Sequence, residues 1–387
     1  MSVQTHPLLR HRDGHHARVT YEELFFDLVY VFAVTQLSHG LLHHLTAAGL
    51  IETLILWFAV WLGWQYTCWV TNWFNPESRQ IRGLMFVLML LALVMASALP
   101  QAFGERGMTF ALAYVAIQVG RTGFILWQLG SGHALSANYR RMLGWVCISA
   151  LFWIAGAFAH HELRAILWLI AVICEYVSPM FGFALPGLGR SNTRDWTIEG
   201  GHLAERCQLF VIVALGETLL VSGATMAETE IWTTPVLSAL LATFLGTLAM
   251  WWLYFGTSSK DATTAITRTD DPGRVGAYLH YVHALLVAGI IGTAVGNELA
   301  LAHPHALADW TQVLALTGGP ALYLLGSILY KRVVYGQVPM THVLGLALLA
   351  LGLLARGHLD LLTLTWFTTL VMTGIGLAEN RVRRQPA

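Results

Sequence analysis

One apolar stretch of the sequence, from His202 to Glu217, carries ionisable side chains at helical spacing. Residues 11 apart return to nearly the same face of a helix, so the polar groups of this stretch share a stripe. The stripe consists of His202, Arg206, Val213 and Glu217. A charge in a bilayer core costs about 2.5–3.5 kcal/mol, so these groups must face protein or water. The stretch is therefore predicted to be one wall of a polar intramembrane site that binds protons or small ions.

Ionisable side chains also occur in other apolar stretches. Glu23 and Asp27 are four residues apart and share a helical face, so at least one of them is expected to be protonated or paired. Glu23 equally fits a first-turn residue that the helix dipole favours. Arg121 lies near the middle of its stretch and is expected to pair with an acid of another helix. Glu175 precedes Pro179, where freed backbone groups could line a cavity.

A later stretch contains His280 and Glu298 on one face, at opposite ends. His280 and His283 are three residues apart and could share a metal ion, but histidines satisfied within their helix are the commoner outcome. None of the four cysteines has the spacing of metal ligands. Neither a metal nor a cofactor is therefore expected.

Acids outnumber permanent bases in the predicted interior. The acids are Glu23, Asp27, Glu175, Glu205, Glu217 and Glu298, and the bases are Arg121 and Arg206. Two arginines cannot neutralise six carboxylates, so the surplus is expected to be protonated, hydrated or bound to a cation. The alternative is that two buried pairs pin the helices while the other acids lie near wet helix ends.

Composition indicates what holds these groups. The 387 residues are 56% hydrophobic and 11% charged, with a mean hydropathy of +0.58, whereas an ordinary soluble domain is about 25% charged. Apolar windows of about 20 residues predict twelve transmembrane helices. They are predicted at 22–45, 50–73, 83–102, 107–130, 141–160, 163–185, 203–225, 235–257, 276–301, 310–331, 339–356 and 359–380. The chain is therefore predicted to be an all-α, multi-pass protein of the cell membrane.

The basic residues predict the orientation. If both termini are cytoplasmic, that side holds 17 of the 22 Lys and Arg and the opposite side holds three. The 17 are Arg10, Arg12, Arg18, Arg79, Arg82, Arg140, Arg141, Arg190, Arg194, Lys260, Arg268, Arg274, Lys331, Arg332, Arg381, Arg383 and Arg384. A net charge of zero gives no footprint for nucleic acid. The expected partners are membrane lipids and an unidentified small ion or molecule, and a homo-oligomer stays open.

A weak internal repeat aligns residues 27–36 with residues 208–217, each with two polar residues nine apart around an apolar run. It predicts two six-helix halves, 1–185 and 186–387. Because six is even, the halves would be related by a parallel repeat. Chance similarity between apolar helices is the alternative.

Two motifs resemble the bacterial low temperature requirement A (LtrA) family. They are Glu23-Leu-Phe-Phe-Asp-Leu-Val-Tyr-Val-Phe-Ala-Val-Thr-Gln-Leu-Ser-His39 and His202-x-x-Glu-Arg-x-x-Leu-Phe-Val-Ile-Val-Ala-Leu-Gly-Glu217. The resemblance implies a multi-pass membrane protein linked to growth in the cold. It points to Glu23, Asp27, His39, His202, Glu205, Arg206 and Glu217 as signature residues. Gln208 stands where the family usually has Gly.

Three functions fit these patterns. The first is a proton- or cation-linked transporter or channel, with Asp27 and Glu217 as ion sites and Arg121 and Arg206 as counter-charges or an anion anchor. The second is an intramembrane enzyme that acts on a lipid or isoprenoid. The third is a sensor or scaffold whose buried charges are structural.

Overall fold

The structure, a computed structural model, describes residues 6–12, 17–196, 198–256, 261–267 and 269–384. Within these ranges every regular element is a helix. The α-helices are α1 (Tyr21–His43), α2 (Ala47–Trp73), α3 (Arg79–Ala98), α4 (Gly107–Val115), α5 (Arg121–Leu129), α6 (Ser136–Phe158), α7 (His161–Met180), α8 (Gly200–Glu228), α9 (Thr234–Trp251), α10 (Ala262–Thr267), α11 (Pro272–Ala302), α12 (Trp310–Tyr335), α13 (Met340–Leu351) and α14 (Leu361–Arg384). A π-helical turn, Ala116–Gly120, joins α4 to α5, and another, Trp252–Gly256, follows α9.

Long apolar helices dominate the described chain. Eleven of its helical segments are long and apolar enough to cross a membrane. The remaining predicted span, 339–356, coincides with a shorter apolar helix, Met340–Leu354. The chain is an all-α, multi-pass membrane protein, as the hydropathy predicts. Of the basic residues behind the predicted orientation, Lys260 and Arg268 lie outside the described residues.

Some helix ends differ from the predicted spans. Helix α7 ends at Met180, not at residue 185, because Gly182 (φ 62°) and Phe183 (φ 52°) take left-handed backbone conformations. Pro179 lies in the last turn of α7 and so does not kink the middle of the helix. Helices α8 and α11 extend past their predicted spans at both ends, with 29 and 31 residues.

The chain forms two compact units. The first contains residues 1–40, 47–206 and 269–274, and the second contains 41–46, 207–268 and 275–387. The predicted repeat and its boundary at residue 185 stay predictions.

Helix α2 lies in the interior of the first unit. Every residue from Ala59 to Phe74 is buried, which is the pattern of a helix surrounded by others. Its indoles Trp57, Trp61 and Trp64 are fully buried and fill the core. Because α2 is enclosed, its polar side chains face neighbouring helices and not lipid.

Candidate functional site

Glu23 is held at the start of α1 by its own helix terminus. The backbone N–H of Thr20 donates to Oε2 of Glu23 at 2.9 Å, and the N–H of Glu23 points back to the Thr20 hydroxyl at 3.4 Å. This reciprocal arrangement is a capping box. Glu23 is fully buried, so the helix N-terminus fixes a carboxylate inside the protein and not at the headgroups.

Three basic side chains surround the Glu23 carboxylate. Arg10 reaches Oε2 through Nη2 at 2.8 Å, while Nη1 of Arg206 and Nε2 of His202 lie 3.0 and 2.8 Å from Oε1. Helix α8 supplies His202 and Arg206, which are four residues apart and therefore on one face. The first turns of this helix thus present polar side chains to Glu23, and the ion-binding role of that wall stays a prediction.

Arg10 is the member that the sequence analysis missed. Its segment pairs with the end of α2: Leu9 bridges Phe74, and the N–H of Arg10 donates to the Trp73 carbonyl at 2.9 Å. The guanidinium Nε also donates to the carbonyl of Thr71 at 2.6 Å. These bonds position Arg10, which lies outside the predicted spans, so that its guanidinium reaches the buried carboxylate of Glu23. The surplus of acids over bases was the only sequence signal that a further cation was needed.

The hydrogen bonds of His202 indicate its protonation state. The Asn72 amide oxygen accepts from the backbone N–H of Glu199 at 3.0 Å, which turns the amide nitrogen of Asn72 toward Nδ1 of His202 at 3.1 Å. Nδ1 is therefore an acceptor, and Nε2–H donates to Glu23. This assignment makes His202 a neutral imidazole in the Nε2–H form.

Asp27 lies one turn beyond Glu23 and shares Arg206 with it. Its Oδ1 accepts from the Trp64 indole at 2.6 Å and from Nη2 of Arg206 at 2.5 Å. Both side chains are at most 1% exposed. Oδ2 of Asp27 and Nε of Arg206 are buried without a hydrogen-bond partner among the described residues. The pair therefore keeps one spare acceptor and one spare donor.

The charges of this cluster balance. Arg10 and Arg206 offset Glu23 and Asp27, and His202 is neutral. The prediction that carboxylates outnumber permanent bases is wrong for this group. It counted only arginines inside the spans, whereas Arg10 comes from outside them. We call these five residues the α1–α8 charge cluster.

The partners of Arg121 differ from those that the sequence predicts. Arg121 was expected to pair with an acid, but among the residues that the structure describes no carboxylate lies within ion-pair distance of it. Its Nη1 donates to the Gly63 carbonyl at 3.2 Å and to the Thr67 hydroxyl at 3.1 Å, and Nη2 donates to Oε1 of Gln118 at 2.5 Å. The guanidinium also lies 5.4 Å from the Tyr66 ring centre. Neutral oxygens and a π-face thus solvate this buried cation.

Glu175 is buried among four neutral donors. Ser149 and Trp153 reach Oε1 at 2.6 and 3.0 Å. The Gln118 amide reaches Oε2 at 3.0 Å, and the Tyr114 hydroxyl also bonds Oε2. Because Gln118 donates to the Tyr114 oxygen, the Tyr114 proton is directed to Glu175. Two donors per oxygen are what an ionised carboxylate requires.

Gln118 connects these two buried groups. Its amide oxygen accepts from Arg121 and its amide nitrogen donates to Glu175, so one side chain separates the cation from the anion. Tyr114, Gln118 and Arg121 are all buried. On α2, Asn72 bonds His202 of the charge cluster and the carbonyl of Gly63 accepts from Arg121. Nine residues of helix span about 14 Å, so a line of polar groups follows α2 for that length.

The other predicted site residues lie elsewhere. His39 is exposed near the end of α1, and Glu205 is half-buried and accepts from the backbone N–H of Val19 at 3.3 Å. Glu217 is fully buried in the second unit, which also contains Glu298 and His280. The Nδ1 atom of His280 bonds the Gly276 carbonyl at 2.9 Å.

Of the two histidines of α11, His283 is hydrogen-bonded through both ring nitrogens within its own unit. Nδ1 of His283 bonds the carbonyl of Leu279 at 2.6 Å, and Nε2 bonds the Tyr254 hydroxyl at 2.6 Å. Across the described parts of the chain, no three His, Cys, Asp or Glu side chains are grouped to hold a metal ion.

Comparison with known proteins gives the family of the chain. A family model described as bacterial low temperature requirement A protein matches residues 18–377. An uncharacterized protein of Rhizobium meliloti (strain 1021) is 40% identical over 344 residues, which are 88% of this chain and 84% of the relative. No solved structure matches the chain. The matched region contains Glu23, Asp27, His202 and Arg206, and the chain belongs to the bacterial low temperature requirement A (LtrA) family.

Proposed function

We propose that this protein is a proton-linked transporter of the cell membrane in which Asp27 is the proton site. The observation that carries the proposal is the incomplete bonding of a buried ion pair. Oδ2 of Asp27 and Nε of Arg206 have no hydrogen-bond partner among the described residues, although both are buried. Unpaired buried polar atoms are costly and are rare unless a ligand, a water molecule or a proton uses them.

The geometry favours a proton over a metal cation. Oδ1 of Asp27 is already occupied by Trp64 and Arg206, so a single carboxylate oxygen is free. Metal ions such as Ca²⁺ need about six to eight oxygen ligands. A proton needs one oxygen. The site therefore suits protonation of Oδ2.

Protonation would change the charge of the whole cluster. With Asp27 ionised, two arginines balance two carboxylates. Neutral Asp27 leaves a net charge of +1 in a buried place, and an uncompensated buried charge is strongly unfavourable. The cluster would regain neutrality by admitting an anion or opening to water.

The test is proton movement across a membrane. The full chain is purified and reconstituted into vesicles that contain the pH-sensitive dye pyranine, with the membrane potential clamped by valinomycin and K⁺. An imposed pH gradient should decay faster with the protein than in protein-free vesicles. Asp27→Asn keeps the size of the side chain but cannot ionise, so it should return the decay to the protein-free rate.

Two controls make the result specific. Glu105→Gln removes an exposed carboxylate in a loop and should leave the rate unchanged. The thermal unfolding of each variant in detergent shows whether it is folded. The proposal fails if wild-type protein does not accelerate the decay, or if folded Asp27→Asn conducts as well as wild type.

A structural role for the same cluster is the second candidate. Glu23 is bonded by its own helix cap and by three basic side chains from two other segments, which is the pattern of a group that fixes helices. In a scaffold, Asp27→Asn would lower stability without changing proton movement. In a transporter, Asp27→Asn abolishes proton movement while the protein stays folded.

A further inference from the structure

A groove of about 840 Å³ lies in the first unit, beside α3, α5 and the π-helical turn Ala116–Gly120. One end is polar, with Arg79 and Gln80 at the start of α3 and Gln128 in the last turn of α5. The other wall is apolar and follows α3. The apolar side chains of that wall are Leu84, Val87, Leu88 and Leu91. The groove thus has the polarity of a lipid, with a head end and a tail end.

Small residues keep the groove open. A Cβ atom added at Gly83 or at Gly120 would meet nothing within 4 Å. Gly120 ends the π-helical turn that precedes Arg121, and π-turns often mark functional sites. Side chains at these two positions would occupy the space that the groove now leaves empty.

The charge of the groove is of one sign. Arg79 is exposed, and the structure gives its guanidinium no hydrogen bond or ion pair with a described residue. Arg121 lines the same groove, is 1% exposed, and has only neutral oxygens as hydrogen-bond acceptors. None of the residues that line the groove, all of them described, is acidic. Two arginines without a carboxylate are complementary to an anion.

We propose that this groove binds one anionic glycerophospholipid. Its phosphate lies at Arg79 and Gln80, and one acyl chain follows the leucines of α3. The 13 residues from Arg79 to Leu91 span about 18 Å of helix, close to the roughly 15 Å half-thickness of a bilayer core. Arg121, seven residues before Gln128, adds positive potential below the headgroup. This site is independent of the proposed proton transport.

Native mass spectrometry of the full chain in detergent measures the binding. Phosphatidylglycerol is the anionic probe, and phosphatidylcholine with the same acyl chains is the neutral comparison. Wild-type protein should bind the first phosphatidylglycerol roughly five-fold or more tightly than phosphatidylcholine, as one arginine near an anionic headgroup provides.

Two variants test the two ends of the groove. Arg79→Gln removes the charge at the head end and should weaken the binding of phosphatidylglycerol roughly five-fold. Its control is Arg140→Gln, at an exposed arginine outside the groove. Gly83→Leu fills the apolar part of the groove and should weaken the binding of both lipids. Gly374→Leu, at another exposed glycine whose added Cβ meets nothing within 4 Å, is its control. Neither groove variant disturbs a bond of Arg121, so both should fold.

Three results would overturn the proposal. The first is equal binding of phosphatidylglycerol and phosphatidylcholine by wild-type protein. The second is wild-type binding by both Arg79→Gln and Gly83→Leu. The third is full displacement of phosphatidylglycerol by inorganic phosphate at equal concentration, which would show an ion site that does not use the acyl chain.

Discussion

Arg206 reaches Glu23 and Asp27 with different nitrogens of one guanidinium: Nη1 lies 3.0 Å from Glu23 Oε1 and Nη2 lies 2.5 Å from Asp27 Oδ1. A single cation therefore holds two carboxylates that are one helical turn apart. The planar fork of arginine makes this possible, whereas the single ammonium of lysine could serve both acids only from one point. The relationship identifies Arg206 as the residue on which the cluster depends.

Replacement of Arg206 by methionine should therefore be strongly destabilising. Two buried carboxylates would lose their shared partner, and breaking a buried ion pair costs about 3–5 kcal/mol. Arg140→Met, at an exposed arginine, should change the free energy of unfolding by less than about 0.5 kcal/mol. Denaturant unfolding in detergent measures both variants.

A double-mutant cycle separates this pairing from general damage. If Asp27 and Arg206 interact directly, Arg206→Met combined with Asp27→Asn should cost less than the sum of the two single changes, by about 0.5–3 kcal/mol. Simple additivity of the two single changes would show that the pair contributes little to stability.

Gln118 supports a second prediction because it bonds groups of opposite charge. Gln118→Met keeps the volume of the side chain but removes the acceptor for Arg121 and a donor for Glu175. Each unpaired buried group costs about 1–3 kcal/mol. The variant should therefore unfold at a clearly lower denaturant concentration than wild type. Gln128→Met, at a half-buried position in the last turn of α5, is the matched control, and equal stability of the two variants would contradict the bridging role.

The sequence predicts the helices of this protein well because apolar length is a local property. Helical spacing also places Tyr30, Val34 and Ser38 on the face of Glu23 and Asp27. All five are buried, whereas His39, on a different face, is exposed. Periodicity alone is enough for both results.

Pairing between helices is not local, and helical spacing does not predict it. Arg10 enters the charge cluster through a bridge between the N-terminal segment and the end of α2, and no helical spacing relates those segments. The sequence predicts an ion pair between Arg121 and an acid, but the amide of Gln118 lies between Arg121 and Glu175 and bonds both. A charge count shows that partners are needed but does not show whether an amide can serve as one.

Close packing between α1 and α2 supports a third prediction. A Cβ atom at Gly63 would lie 2.8 Å from the hydroxyl oxygen of Tyr30 and 3.6 Å or more from its ring carbons. The Tyr30 hydroxyl is buried without a hydrogen-bond partner among the described residues. Gly63→Ala should therefore cost about 1–3 kcal/mol by overpacking, whereas Tyr30→Phe should be nearly neutral.

The combination of Gly63→Ala with Tyr30→Phe should recover most of that loss, because the atom that collides is gone. Gly123→Ala, where an added Cβ meets nothing within 4 Å, is the control and should be neutral or slightly stabilising. Thermal unfolding of the four variants in detergent provides the comparison. A double variant as unstable as Gly63→Ala alone would show that the Tyr30 hydroxyl is not the group that collides with the added Cβ.

The start of α12 gives a pH-dependent prediction. The Asp309 side chain accepts from the backbone N–H of Gln312 at 2.8 Å, and the backbone N–H of Asp309 donates to Oε1 of Gln312 at 3.0 Å, which completes a capping box. The bond from the Gln312 N–H lowers the pKa of Asp309 in the folded protein. A lowered folded pKa means that the cap stabilises the protein above the unfolded pKa of Asp309. That contribution is lost as the pH falls through the lower folded pKa.

Asp309→Ala should therefore cost about 1 kcal/mol at neutral pH, as other lost N-caps do. The difference in unfolding free energy between wild type and the variant should shrink as the pH falls below the ordinary range of an aspartate. Glu105→Ala, at an exposed loop acid, should show no such convergence. A gap between wild type and Asp309→Ala that stays constant down to strongly acidic pH would mean that the carboxylate charge does not contribute to the cap.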